Sequence, residues 1–207
     1  MNGEVTPNLE VNYANGHYML DTENVNYSFG GLYTVFKKAF RHFHIRKRIV
    51  KNLLVLGFGA GSVAHILEDD YKKDVSITGV EIDRVVIKLA HKYFDIDHYK
   101  HLTLRNADAY QFTEECRQLF DMIVVDVFID NVVPTAFHKT AFMENLNHIL
   151  SKEGIVLFNK TVFDNQTKEE ATALLNDMEY EFGSAEQFVY TGHGVTNFIL
   201  AHDRLHV

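Results

Sequence analysis

The sequence predicts an α/β domain in which a seven-stranded, mostly parallel sheet is covered by helices on both faces. Three patterns carry this expectation. Short apolar-rich runs at residues 53–56, 75–80, 102–104, 122–125 and 155–158 alternate with segments of helical periodicity. The run 122–125, Met-Ile-Val-Val, has no polar face, as a strand buried on both sides requires. Two final runs, 187–190 and 196–201, are joined only around Gly192-His193-Gly194. That stretch is too short for a crossover helix, so the pair is antiparallel.

The elements follow in order. Residues 11–20 alternate loosely around Asn15-Gly16, a dipeptide that favours a hairpin turn. Tyr27-Ser28-Phe29-Gly30-Gly31 comes next, and residues 32–43 carry apolar side chains at helical spacing, with Phe36, Phe40 and Phe43 on one face. Residues 1–50 are therefore expected to be a short N-terminal hairpin and helix appendage, and residues 51–207 the main domain. Within the latter, helices are expected over 62–71, 83–93, 138–150 and 167–179. Lys152-Glu153-Gly154 reads as the close of the third.

Composition narrows the class. A 207-residue chain that is 46% hydrophobic and 23% charged can bury one sizeable core and is neither disordered nor collagen-like. Its unbroken apolar stretches fall far short of the roughly 20 residues a membrane-spanning helix needs. Residues 1–10 have neither the basic start nor the apolar centre of a secretory signal. The single cysteine, Cys116, allows no internal disulfide, so a cytoplasmic protein is expected. Twenty basic against 28 acidic residues leave a net charge of −8, which disfavours nucleic acid as a partner.

Ligands of parallel sheets bind beyond the carboxyl ends of the strands, so those ends hold the candidates. Gly57, Gly59 and Gly61 follow the first strand and open a helix. Glycine lets the backbone approach a ligand, and the helix start offers free N–H groups to an anion. Glu81 follows the second strand, where a carboxylate can accept both hydroxyls of a ribose; the alternative is a helix cap, for which Asp83 is better placed. Asp108, before Ala109, could accept from an adenine amino group or cap the next helix. Asp126 ends the wholly apolar fourth strand, a costly place for an acid unless it is paired or used. With Asp130 four residues on, it could hold a cationic group and accept its proton.

These residues resemble a known family. The run Leu53-Leu54-Val55-Leu56-Gly57-Phe58-Gly59-Ala60-Gly61, with Glu81, Asn106-Ala107-Asp108-Ala109 and Phe120-Asp121-Met122-Ile123-Val124-Val125-Asp126, is similar to the Rossmann-like fold of class I S-adenosylmethionine-dependent methyltransferases. The tyrosine segment at Tyr27 and the Asp126-to-Pro134 loop resemble its spermidine synthase-like branch. The resemblance implies that Gly57, Gly59, Gly61, Glu81, Asp108 and Ala109 bind the sulfonium nucleoside. It implies that Asp126 orients and deprotonates an attacking amine, with Tyr27 and Asp130 at the acceptor. The donor would be S-adenosylmethionine or its decarboxylated form, the acceptor a small molecule such as a polyamine, and the assembly a homodimer.

Two departures bear on the donor. The branch carries an acid in the glycine loop where this chain has Ala60, and a glutamate near the tyrosine where it has Phe29. Decarboxylated S-adenosylmethionine ends in a bare ammonium that wants a carboxylate, whereas the intact molecule keeps its own and suits a loop of amides. The expectation is an alkyl transferase acting on an amine. A small-molecule methyltransferase, an inactive nucleoside-binding protein and an NAD-binding oxidoreductase stand as alternatives. Seven basic residues between Lys37 and Lys51 read as a solvated face or as a patch for RNA or an acidic partner. The 12 histidines show no ligand spacing, and no metal is expected.

Overall fold

The computed structural model describes residues 3–6, 8–14, 16–21, 26–28, 30–128, 133–192 and 194–205, and for 14, 17 and 26–28 the backbone alone. Three strands come first, β1 (Glu10–Ala14), β2 (His17–Asp21) and β3 (Asn26–Ser28), forming a small antiparallel sheet. β1 and β2 are the expected hairpin, with Val11 opposite Leu20. Its turn includes Gly16 at φ 85°, left-handed backbone that glycine adopts without penalty. β3 is an addition to the sequence reading, since three residues are too few to show a period of two. Helix α1 (Gly31–His42) then buries Val35, Phe36, Ala39 and Phe40 along one stripe. Leu9, Leu20 and that stripe share one core with Leu53 and Val55, so the N-terminal segment packs on the large sheet.

The large sheet is built from β4 (Asn52–Leu56), β5 (Ser76–Glu81), β6 (Leu102–Asn106), β7 (Phe120–Val125), β8 (Leu150–Val162), β9 (Glu186–Gly192) and β10 (Val195–Asp203). Between them run α2 (Ser62–His65), α3 (Arg84–Tyr93), α4 (Ala109–Glu115), α5 (Thr140–Ile149) and α6 (Asn165–Phe182). The spatial order is β6-β5-β4-β7-β8-β10-β9. β4 pairs parallel with both β5 and β7, and β7 with β8. β10 runs antiparallel between β8 and β9, so the late hairpin folds back into the sheet. Side chains alternate along each strand, which divides the core in two. Leu53, Val55, Met122 and Val124 face α1 and α3; Leu54, Leu56, Ile123 and Val125 face α4, α5 and α6.

Two stretches depart from the sequence reading. The helix expected over 62–71 is α-helical only to His65 and continues as a wider π turn, Ile66–Asp70, closed by the Tyr71 N–H on the Ile66 carbonyl at 3.0 Å. The widened turn is held from outside: Asp70 accepts the Tyr33 hydroxyl at 2.5 Å, and Asp69 accepts the Tyr99 hydroxyl at 3.0 Å. Lys152-Glu153-Gly154 belongs to β8 instead of closing α5. Leu150 already pairs with Phe120, and a register shift absorbs the extra residues before Ile155 meets Met122.

The basic stretch is tied into the fold. Arg48 makes a buried ion pair with Asp203 at 2.6 Å and donates to the Glu153 carbonyl at 2.8 Å. Lys37 pairs with Asp70, and Arg46 lies over the Tyr71 ring. Among the described residues no helix is long and apolar enough to cross a membrane.

Candidate functional site

The chain runs from β4 outward to β5 and β6, then returns to the other side of β4 at β7. Such a reversal opens a crevice beyond the carboxyl ends of the strands. A cavity of about 290 Å³ occupies it. Gly57, Glu81, Asp108, Ala109 and Asp126 line it, together with Ile82, Val127, Phe128, Pro134 and Phe137. Three strand ends and one helix start thus converge on one space.

The glycine loop begins at Gly57, whose φ is 80°. The N–H groups of Gly57 and Phe58 both donate to the Val80 carbonyl at 2.9 Å, locking the turn to β5. A Cβ on Gly57 would lie 2.1 Å from the Asp126 carbonyl oxygen, so only glycine lets the loop pass this close to the end of β7. Phe58 turns inward over Gly79, where a Cβ would meet the ring at 2.4 Å. Gly59 donates its N–H to Glu81 Oε2 at 3.0 Å, and Gly61, at φ 92°, is the N-cap of α2. Of the three glycines, Gly57 contributes to the cavity wall while Gly59 and Gly61 shape the turn behind it. Ala60 is fully buried in the same loop and brings no carboxylate.

Glu81 is the last residue of β5 and is 2% exposed. Its carboxyl accepts from the Gly59 and Asp83 N–H groups, both at 3.0 Å. Burial pushes it up to about 7, although those two hydrogen bonds favour the ionised form. The capping role falls to Asp83, which accepts from the Val85 N–H at 2.8 Å and from the Val5 and Thr6 N–H groups at 2.9 Å. Glu81 is thereby left at the cavity. Asp108 takes the capping role its position suggested and also reaches the cavity. It caps α4 through the Gln111 N–H at 3.0 Å and lines the cavity beside Ala109, the first residue of that helix.

Asp126 stands directly after β7, its N–H donating to the Leu56 carbonyl at 2.8 Å. Its Oδ1 accepts from Asn159 Nδ2 at 2.8 Å. Burial pushes this carboxyl up to about 7; the Asn159 bond pulls against the rise and the charge of Glu81 adds to it. Asn159 is fully buried, and its own Oδ1 accepts from Asn197 Nδ2 at 3.0 Å. Asn197 Nδ2 also lies 3.4 Å from Thr161 Oγ1. Asp130 lies outside the described residues, and so does the side chain of Tyr27, whose backbone is in β3.

Asn159 and Asn197 were not among the sequence candidates. One signal existed: Asn159 follows the apolar run 155–158 just as Asp126 follows 122–125, and Val125 pairs with Phe158. The two polar residues therefore emerge side by side. Asn197 has no such signal, because only the antiparallel pairing of β10 with β8 brings it near, opposite Thr161.

Residues 35–192 match the family described as Spermine/spermidine synthase domain. The chain is 26% identical over 148 residues, 67% of its length, to a Drosophila melanogaster protein named eEF1A lysine and N-terminal methyltransferase homolog, of which it spans 21%. It is 27% identical over 144 residues, 70% of its length, to a probable polyamine aminopropyl transferase of Bifidobacterium longum, of which it spans 32%. In three dimensions it resembles the crystal structure of a probable spermidine synthase from Corynebacterium glutamicum, with a TM-score of 0.81 and 21% identity over 98% of this chain and 78% of that one. That last likeness is one of fold. The match over most of the sequence, on a sheet with this strand order, makes the chain a member of the spermine/spermidine synthase domain family.

Proposed function

We propose that the protein binds S-adenosylmethionine in the strand-end cavity and transfers its methyl group to an amine, with Asp126 as the group that orients the acceptor and takes its proton. The observation that carries this is the pairing of two cavity-lining carboxyls, the buried Glu81 and the half-buried Asp126, with a glycine loop whose residue 60 is a buried alanine and brings no acid for a bare ammonium. Acceptor chemistry agrees between the relatives: their names specify polyamines, lysine and protein N-termini, all amines.

The residues fit such a donor. Glu81 can accept ribose hydroxyls and Asp108 an adenine amino group, while the glycine loop, whose Gly57, Phe58, Gly59 and Gly61 N–H groups are bonded within the protein, sets no acid against the donor's own carboxylate. The bound donor supplies an electrophilic methyl carbon on a sulfonium. In the displacement the amine nitrogen forms a bond to that carbon, the carbon–sulfur bond breaks, and sulfur keeps the electron pair. Asp126 takes the proton that nitrogen must lose. A carboxyl raised to about 7 is a better base for this than one in water, since its affinity for the proton is closer to the operating pH. Asn159 holds one of its oxygens, leaving the other for the acceptor.

A donor panel tests the reading. Calorimetric titration is expected to show S-adenosylmethionine binding about tenfold or more tightly than its decarboxylated form, the value of one charge-assisted contact. Ala60→Asp is expected to reverse that order. Tighter binding of the decarboxylated donor by the unaltered protein would instead assign aminopropyl transfer, the reading favoured by the family's own name. Donor binding without turnover on polyamines, amino acids and N-terminal peptides would mark a nucleoside-binding protein that does no chemistry. NAD is expected not to bind.

Glu81 makes binding pH-dependent. Ribose hydroxyls donate to the ionised carboxylate, which in the free protein forms only as pH rises through about 7. S-adenosylhomocysteine affinity is therefore expected to strengthen between pH 6 and 8, by up to about tenfold per unit below the midpoint. Glu81→Gln should flatten that dependence. In the free protein the sign is opposite. A carboxyl raised from 4.5 to about 7 on folding holds more protons in the native state across that interval, so its contribution to stability falls as pH rises through it. A melting temperature of the free protein that climbs from pH 5 to pH 7 would count against a buried, raised Glu81.

A further inference from the structure

We infer that Asn159 and Asn197 form a two-strand amide relay that decides which oxygen of Asp126 works on the acceptor, making Asn159 a positioning residue for the reaction proposed above. The inference rests on that reading for the reaction itself, though not for the relay.

The relay has a direction. Asn197 Nδ2 donates to Asn159 Oδ1, at 3.0 Å, so the NH₂ end of the Asn159 amide is the end left to face Asp126. It donates to Asp126 Oδ1 at 2.8 Å. An amide NH₂ has no lone pair to accept with, so Asp126 Oδ1 stays an acceptor in both protonation states. A proton that Asp126 takes is then favoured on Oδ2, because that keeps the carbonyl oxygen, the better acceptor, facing Asn159. Reversal of the Asn159 amide would set two NH₂ groups against each other at Asn197 and a carbonyl against the carboxylate. The orientation is thus set from β10, two strands away from the reacting group.

The placement is costly without a use. Ile155 and Leu157 face the same side of β8 and are fully buried hydrocarbon, yet the next inward positions are Asn159 and Thr161. An apolar residue at 159 would continue the core at no desolvation cost. The change to amides begins where β8 passes Asp126. The charged groups acting on Asp126 are few: Glu81 at the end of β5 repels its charge, and Asp108 at the start of α4 shares the cavity wall. Neither can supply a donor. Among the described residues, Asn159 is the side chain that stabilises the ionised form.

Asn159→Leu keeps the branched shape of the side chain and removes the donor. With aspartate ¹³C-labelled at the carboxyl carbon and the resonance identified by its loss in Asp126→Asn, NMR titration reads the Asp126 midpoint without any acceptor. The midpoint is expected to rise by about one pH unit or more in Asn159→Leu, the value of a hydrogen bond to a charged group. Asn197→Leu, which frees the amide to reverse, should shift it in the same direction by less. A cooperative thermal melt confirms that each variant is folded. An unchanged Asp126 midpoint in folded Asn159→Leu overturns the relay. Failure of the donor panel would instead remove the proposed reaction and leave this titration as it stands. Where turnover is measurable, the acid limb of the kcat/KM profile moves upward with the midpoint and the donor KM stays put, a pattern that loss of packing alone does not produce.

Discussion

Asp126→Asn is expected to lower turnover by about 10²–10⁴-fold, the range for removing a positioned general base. The substitution is nearly isosteric. The amide oxygen at position 126 can still accept from Asn159 Nδ2, so the strand end and its N–H bond to Leu56 are retained. What disappears is the capacity to hold a proton. S-adenosylhomocysteine affinity is expected to be kept, because loss of one of two mutually repelling carboxyls in the cavity leaves Glu81 easier to ionise. A kcat that falls with an unchanged donor KM, measured on the amine selected by the panel, matches this role. Full turnover by the variant would sink it.

Gly57→Ala is expected to cost on the order of 3 kcal/mol or more in stability, lowering the melting temperature by about 6–12 °C for a chain of this size. Two penalties add. Left-handed backbone at φ 80° costs any other residue about 1–2 kcal/mol. The new methyl would also lie 2.1 Å from the Asp126 carbonyl oxygen. That oxygen is main chain and cannot swing aside, since its residue is anchored to Leu56. Relief requires the glycine loop and the end of β7 to part, which widens the cavity where the donor would sit and should weaken nucleoside binding as well. Gly183→Ala is the control. Gly183 has φ 84° and open space around its Cβ position, so it bears the backbone penalty alone. Equal melting temperatures for the two variants would show that the close approach at Gly57 does not exist.

The large sheet was legible because its central strands are unusual. Runs such as Met122-Ile-Val-Val and Leu53-Leu-Val-Leu can satisfy neither a half-solvated strand nor a short surface helix, and burial on both faces is what remains. The strand ends mark Gly57, Gly59, Gly61, Glu81, Asp108, Ala109 and Asp126 in the sequence, and all but Gly59 and Gly61 line one cavity. Segments whose form depends on partners distant in the chain were less legible. The π turn at Ile66–Asp70 is fastened by Tyr33 and Tyr99, and the early start of β8 by Phe120. Neither leaves a local pattern.

By itself the sequence determined the class of fold and the acids at the strand ends, because periodicity and strand-end polarity are local properties of the chain. Tertiary structure alone decided what surrounds those acids. Asp83 takes the cap as its position suggested, but only the fold buries Glu81 and sets Asn159 and, from β10, Asn197 behind Asp126. The physical reason is that the proton affinity and orientation of a carboxyl depend on burial and on the donors that reach it, and here those donors come from strands that are neighbours in the sheet and not in the chain.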